Sequence, residues 1–129
     1  MSERRLLQVC VAIAALVPVS AGLAGAWLGP AMLDAGTGID MDSHFRYLSG
    51  LLLAIGLGFW STVPAIEERT HRFRLLTSLV LLGGLARLAG VLAHGWPAPP
   101  MRAALAMELV VTPSLCLWQA RIARRRPPR

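Results

Sequence analysis

Residues 73–94 read FRLLTSLVLLGGLARLAGVLAH, an apolar run with one charged residue in its interior, Arg87. A helix of about 20 residues is about 30 Å long, which matches the thickness of the hydrocarbon core of a bilayer. Unpaired backbone groups are costly in hydrocarbon, and a helix pairs all of them within one segment. This run is therefore predicted to be a transmembrane helix.

Three other runs have similar length and character. They cover residues 6–30, 47–66 and 101–121. With 73–94 they occupy most of the 129 residues, leaving only short connections and a basic tail at 122–129. The sequence predicts an all-α integral membrane bundle of four transmembrane helices in a single domain.

The composition excludes several classes of protein. Hydrophobic residues make up 55% of the chain and charged residues 16%, whereas soluble domains carry about 25% charged residues. A disordered chain is excluded on this ground, and a membrane protein is favoured over a soluble domain. The net charge of +6 comes from arginines at the edges of apolar runs, not from a basic and aromatic soluble face, so we expect no nucleic-acid partner.

The distribution of the arginines predicts the orientation. Ten of the 13 basic residues fall on one side of the four runs: Arg4, Arg5, Arg69, Arg72, Arg74, Arg121, Arg124, Arg125, Arg126 and Arg129. The other side carries Arg46 and Arg102, and the aromatic residues lie near the ends of the runs. By the positive-inside rule, we expect a multi-pass protein of a bacterial inner membrane with both termini in the cytoplasm.

The first run also has features of a signal peptide. Arg4 and Arg5 precede an apolar stretch and the small-residue patch SAGLAGA, which is the order found in such peptides. The run is long for the apolar region of a signal peptide, and it ends in an interfacial residue, Trp27. We therefore expect it to be retained as the first span.

Two charged residues lie inside the last two runs. Arg87 is seven residues before His94, and Glu108 is seven residues after Met101. The connection GWPAPP is short, so the two helices form a hairpin that places both charges at the same depth, about 10 Å from the helix ends. One interpretation is an ion pair that fixes the register of the hairpin. The other is a polar pocket in which Arg87 binds an anionic group while Glu108 carries a proton or orients the arginine.

A second polar cluster precedes the second run in the string IDMDSHFRYLSG, residues 39–50. Asp42 or Ser43 is predicted to cap the helix, and His44 and Arg46 then lie on its first turns. A pocket shared with the charged pair is the alternative, which gives the candidate ligand-binding residues Arg87, Glu108, His44, Arg46 and Asp42. No metal-ligand spacing is present, so we expect no metal and no cofactor, with a haem between His44 and His94 as a further alternative.

Small residues and prolines predict how the helices pack. Small side chains allow membrane helices to approach closely, and they recur at short spacing in Gly22, Gly25 and Gly29, in Gly50, Ala54 and Gly58, and in Gly83, Gly84, Ala86 and Gly90. Pro18 and Pro113 are expected to bend their helices. Pro113 also deprives the carbonyl of Leu109 of its usual partner, next to Glu108.

Several strings together resemble a known family. They are DSHFRYLSG at 42–50, GGLAR at 83–87, ELV at 108–110 and LWQ at 117–119. As a set they resemble the bacterial membrane proteins grouped as domain-of-unknown-function family 4345, most clearly over residues 40–122. The resemblance implies a four-helix integral membrane protein, and it implies no particular activity, substrate or cofactor.

The leading hypothesis for function is a non-enzymatic membrane protein that binds a ligand or serves as an accessory subunit, with Arg87 and Glu108 as its polar centre. The expected partners are the lipid bilayer, a small anionic or lipid-like ligand, and further copies of the chain or a larger membrane complex. One alternative is a membrane enzyme or redox subunit that acts on a lipid or quinone. Another is a small transporter that works as an oligomer.

Overall fold

A computed structural model of the chain describes residues 2–33 and 38–125. Within these residues the chain forms helices and no strand. The α-helices are α1 (Glu3–Leu28), α2 (Ile39–Thr62), α3 (Thr70–His94), α4 (Pro99–Ala106) and α5 (Thr112–Arg124). Short 3₁₀ helices follow α1 at Gly29–Leu33 and α2 at Val63–Ala65, and one π-helical turn, Met107–Val111, joins α4 to α5.

Four helical segments are long and apolar enough to cross a membrane: Glu3–Met32, Ile39–Ala65, Thr70–His94 and Pro99–Arg124. Their mean hydropathies lie between 1.3 and 2.2, yet only 11–22% of each apolar window is buried within the protein. Large apolar side chains such as Ile13, Leu82 and Leu117 are more than half exposed, at 60%, 64% and 74%. Such surfaces suit lipid and not water. The predicted all-α fold with four membrane helices is confirmed, and the chain is a multi-pass membrane protein.

The second helix begins earlier than the apolar run does. It starts at Ile39 with Gly38 as its N-cap residue, and no side chain caps it. The prediction that Asp42 or Ser43 caps this helix is therefore wrong. Asp40 and Asp42 lie in the first turn instead, where negative charge interacts favourably with the amino end of a helix dipole. This interaction allows a polar stretch to extend the apolar helix.

The described residues divide into two compact units, each of which is a helical hairpin. The first unit is Gln8–Val63, with most of α1 and all of α2. Side chains bridge its two helices, since the Gln8 amide donates to the carbonyl of Val63 (2.6 Å) and the Trp60 indole to that of Ala12 (3.0 Å). The carbonyl of Ala12 thus accepts a side-chain hydrogen bond in addition to its bond within the helix. The carbonyl of Val63, at the end of α2, accepts one from the Gln8 side chain.

Glycines set the closest approach within the first unit. A Cβ atom on Gly22 would lie 2.5 Å from the backbone nitrogen of Leu53, and one on Gly56 would lie 2.7 Å from a methyl group of Val19. Gly50 was predicted to pack as part of a stripe with Ala54 and Gly58, and this is wrong for Gly50, because nothing lies within 4 Å of a Cβ built on it. The face of α2 that contacts α1 carries Ser49, Leu53 and Gly56. This face is rotated by about 100°, one residue, from the one that carries Gly50.

The second unit comprises residues 2–7 and 64–125. Here α3 packs against α4, the π turn and α5, joined through Gly95, which has a φ of +94°. Near the opposite end of the hairpin, the buried amide of Gln119 donates to the carbonyl of Ile66 (2.7 Å) and to the hydroxyl of Thr70 (3.0 Å). These contacts hold α5 to the turn that starts α3.

The amino-terminal residues belong to this second unit through ion pairs. The Arg4 guanidinium donates to Glu67 (2.8 Å). The Glu3 carboxylate accepts from Arg125 (2.8 Å) and from the Trp118 indole (3.1 Å). Each pair is partly exposed, so each contributes little stability alone, but together they fix where residues 2–7 lie in the unit.

Substitution of Gly22 tests the close approach in the first unit. Gly22→Ala places a methyl group against the backbone of Leu53, and we expect a loss on the order of 1–3 kcal/mol, the cost of overpacking. Gly50→Ala is the matched control on the facing helix. It meets open space and should leave stability unchanged or raised, because Ala forms helix better than Gly. Thermal unfolding of both variants in lipid nanodiscs measures the difference, and equal stability would contradict the packing described.

Candidate functional site

Arg87 and Glu108 form a bidentate salt bridge in the second unit. The Arg87 Nε lies 2.9 Å from Oε2 of Glu108, and Nη2 lies 3.0 Å from Oε1. Two parallel charge-assisted bonds are the strongest geometry for this pair of residues. The Glu108 side chain is 18% exposed and that of Arg87 35%. The ion pair predicted from equal depth on the hairpin is present.

Gly84 provides the room for Glu108 on the facing helix. A Cβ atom on Gly84 would lie 2.8 Å from the Cβ of Glu108 and 2.8 Å from a methyl group of Leu109. Gly83 and Gly90 have nothing within 4 Å of a Cβ. Of these three predicted packing glycines of α3, only Gly84 lies at a close contact.

Glu108 lies in the π-helical turn Met107–Val111. The carbonyl of Met107 accepts from the backbone N–H of Thr112, five residues on, and from the Thr112 hydroxyl (2.8 Å). The next residue is Pro113, which has no N–H to donate and cannot continue the regular ladder. A π turn inserts one residue, so it rotates the side chains on either side by about 100° relative to each other.

A cleft of about 370 Å³ lies beside the ion pair, at the end of the hairpin that carries the connection between α3 and α4. Arg87, Gly90, Val91 and His94 line one side of it, at the spacing of one helix face. The other lining residues are Gly95, Trp96, Pro97 and Met101. Glu108 is not among the lining residues, so Arg87 is the member of the ion pair that forms part of the cleft wall.

The guanidinium of Arg87 has a third partner at the cleft. Its Nη1 lies 3.3 Å from the sulfur of Met101, which is a weak acceptor. The ring of His94 is held by its Nδ1, 3.3 Å from the carbonyl of Gly90. Cation, imidazole and apolar wall therefore meet in one small space. Sequence reasoning missed Met101, Trp96 and Gly90 as lining residues, although the spacing of Arg87, Gly90 and His94 was a usable signal.

The second predicted cluster forms a separate pair in the first unit. Arg46 Nε lies 2.8 Å from Asp42 Oδ2, and Nη1 donates to the carbonyls of Ala26 (2.9 Å) and Trp27 (2.6 Å). These carbonyls belong to the last turn of α1, where intrahelical donors run out. Arg46 thus caps α1, and Asp42 holds it there. The α1 helix then turns at Gly29, whose φ is +64°.

The remaining candidate, His44, is exposed near the start of α2. The structure thus brings Arg87 to Glu108 and Arg46 to Asp42, each pair within its own unit. A pocket shared by both pairs stays a prediction. Within residues 2–33 and 38–125, no three His, Cys, Asp or Glu side chains are grouped as a metal site.

These features define a small integral membrane protein with four membrane helices and a polar pair at a cleft. The chain belongs to the family described as Domain of unknown function (DUF4345), whose sequence profile matches residues 6–119. The family predicted from residues 40–122 is confirmed, and the match extends over the first span. No curated protein and no solved structure matches the chain.

Substitutions of the ion pair measure its coupling. Arg87→Leu and Glu108→Leu each leave one charge without a partner, and we expect each to cost on the order of 2–4 kcal/mol. The double change removes both charges and should cost clearly less than the sum of the two. Thermal unfolding in nanodiscs measures all three, with Arg102→Leu, an exposed arginine of the same hairpin, as control. Additive losses would contradict a coupled pair.

Proposed function

We propose that the protein is a non-enzymatic membrane protein that binds a small anionic or lipid-like ligand in the cleft beside Arg87. The observation that carries this proposal is the position of the guanidinium, which is paired to Glu108 and also forms part of the cleft wall. The Arg87–Glu108 pair holds a cation in place at the edge of a cleft of about 370 Å³.

The lining of the cleft supports an amphipathic ligand. Ligand sites are mostly apolar, with a few polar groups that orient what is bound. Arg87 and His94 supply the polar groups, and Val91, Trp96 and Pro97 supply apolar surface. A purely polar ion would leave this apolar surface unused, and a purely apolar molecule would leave the guanidinium without a good acceptor.

We further propose that the protein resides in a bacterial inner membrane with both termini in the cytoplasm. Ten of its 13 arginines support this orientation through the positive-inside rule. The connection between α3 and α4 then faces the periplasm, and the cleft opens toward the outer leaflet. A ligand in that leaflet has direct access to Arg87.

A second candidate is an enzyme or redox subunit that acts on a lipid or quinone. One observation favours it, namely that His94 shares the cleft with Arg87 and an imidazole can transfer protons near neutral pH. An absorption spectrum of the purified protein separates the two candidates. A bound quinone or haem would favour the enzyme, and a colourless protein with bound lipid would favour the binding protein.

Native mass spectrometry of the protein released from its own membrane tests ligand binding. We expect a discrete additional mass on the wild-type chain that is lost from the Arg87→Leu, Glu108→Leu double variant. The double variant keeps the hairpin free of unpaired charge, so loss of the mass reports the site and not unfolding. Arg102→Leu should keep the mass. Equal occupancy of all three proteins would contradict a site at Arg87.

Reporter fusions test the orientation. A fluorescent protein that matures only in the cytoplasm, attached after Arg129, is expected to be bright. The same reporter inserted between Pro97 and Ala98, in the connection between α3 and α4, is expected to be dark. Fluorescence from the second fusion, or its absence from the first, would reverse the proposed topology and the leaflet of the cleft.

A further inference from the structure

The guanidinium of Arg87 has one edge that Glu108 does not use. A guanidinium carries five N–H donors in a rigid plane. Glu108 accepts from Nε and from one N–H of Nη2. The remaining edge consists of Nη1 and the other N–H of Nη2, and the sulfur of Met101 lies 3.3 Å from Nη1. The arginine can therefore hold a second planar acid while its bond to Glu108 stays intact.

Met101 is a poor partner for that edge. A thioether is a weak acceptor, whereas a carboxylate accepts strongly from a guanidinium. The Met101 side chain is unbranched and flexible, and it lines the same cleft as Arg87. An incoming acid group can thus displace the sulfur at low cost and replace a weak bond by one or two strong ones.

We propose that this edge of Arg87 binds the carboxylate of a single-chain lipid, which displaces the sulfur of Met101. The inference rests on the proposed ligand-binding function and names the ligand's chemical class. The first carbons of the lipid chain contact the apolar wall at Val91. The chain then leaves the cleft sideways, where Leu92 on α3 is 80% exposed, into the surrounding bilayer.

The donors at the site favour a ligand with one acid group. Arg87 and Glu108 cancel each other's charge, and the edge of the guanidinium that Glu108 leaves unused can hold one planar acid. His94 adds an imidazole to the cleft wall. Its Nδ1 lies 3.3 Å from the Gly90 carbonyl, so Nε2 is the ring nitrogen left for a ligand.

The size of the cleft favours one chain over two. Ligand cavities range from about 300 to 1,000 Å³, and this one, at about 370 Å³, is near the lower limit. That volume suits a small acid group and the first part of a chain. A carboxylate with one chain fills less of it than a phosphodiester head with a glycerol does, and the comparison of a fatty acid with a diacyl phospholipid below tests this choice.

Quenching of Trp96 fluorescence tests the proposal. The wild-type protein in nanodiscs of zwitterionic lipid is titrated with a long-chain brominated fatty acid, with its methyl ester, and with acetate. Bromine quenches indole at short range, and Trp96→Phe identifies the part of the signal that arises at the cleft. We expect saturable quenching by the fatty acid, about 10-fold or more weaker affinity for the ester, and no competition by acetate at equal concentration.

Two variants and a control locate the contact. The Arg87→Leu, Glu108→Leu double variant should bind acid and ester equally, because the charged edge is gone. Met101→Leu keeps the apolar volume but removes the acceptor, so the affinity for the fatty acid should rise several-fold while that for the ester stays the same. Arg102→Gln alters a nearby charge outside the cleft and should leave the acid-to-ester ratio unchanged.

The outcomes separate this inference from the function on which it rests. Equal affinity for acid and ester in the wild-type protein, with Trp96 still quenched, would overturn the carboxylate assignment and leave a lipid-binding cleft. An unchanged affinity in Met101→Leu would overturn the displacement of the sulfur. Competition by a diacyl anionic phospholipid as strong as by the fatty acid would overturn the single-chain assignment. No Trp96 quenching by either compound, together with no retained mass on the wild-type chain, would overturn the proposed function as well.

Discussion

A charged side chain that lies at membrane depth needs a partner of opposite charge at the same depth, and this requirement organises the second hairpin. Arg87 and Glu108 meet through two bonds of 2.9 and 3.0 Å. For them to meet, α3 and the last span must pair in one register. The glycine at position 84 then allows the approach, since a Cβ there would lie 2.8 Å from that of Glu108. The ion pair and the small residue are two parts of one arrangement.

The same requirement acts on backbone carbonyls where helices end. Lipid offers no hydrogen-bond donors, so a carbonyl freed by a turn is best satisfied by a side chain of the protein. Four side chains in the described residues do this near the ends of helices: Arg4 to Pro64, Gln8 to Val63, Arg46 to Ala26 and Trp27, and Gln119 to Ile66. These polar residues at the span ends are therefore accounted for as hydrogen-bond partners of the backbone. The contacts of Arg46 are of this kind.

Much of the fold follows from the sequence, because span length and hydrophobicity are local properties of the chain. The depth argument for Arg87 and Glu108 also worked, since a short connection fixes how two antiparallel helices align. The packing role predicted for Gly50 on α2 was wrong. Gly50 and Ser49 differ by one position, about 100° around the helix, and only the neighbour's shape decides between them. The π turn was not predicted either. Pro113 indicated that the backbone hydrogen bonds of the helix are interrupted here. A helix can accommodate the missing N–H of a proline either by a kink or by an inserted residue, and the local sequence does not distinguish the two.

The π turn links this disturbed ladder to the candidate site. In an uninterrupted helix, Glu108 would keep the same angular relation to α5 as to α4. On either side of this turn, Met101 of α4 contacts Arg87, and Gln119 of α5 contacts Ile66 and Thr70 at the start of α3. Glu108 lies at the point of change and reaches the guanidinium from the side away from the cleft. This placement leaves the other edge of Arg87 facing the cleft and Met101. In a straight α-helix Met101 and Gln119 would lie on the same face, because 18 residues make five full turns. The π turn between them offsets these two faces by about 100°. The wide turn near Glu108 therefore sets which face of α4 and which face of α5 contacts the rest of the second unit.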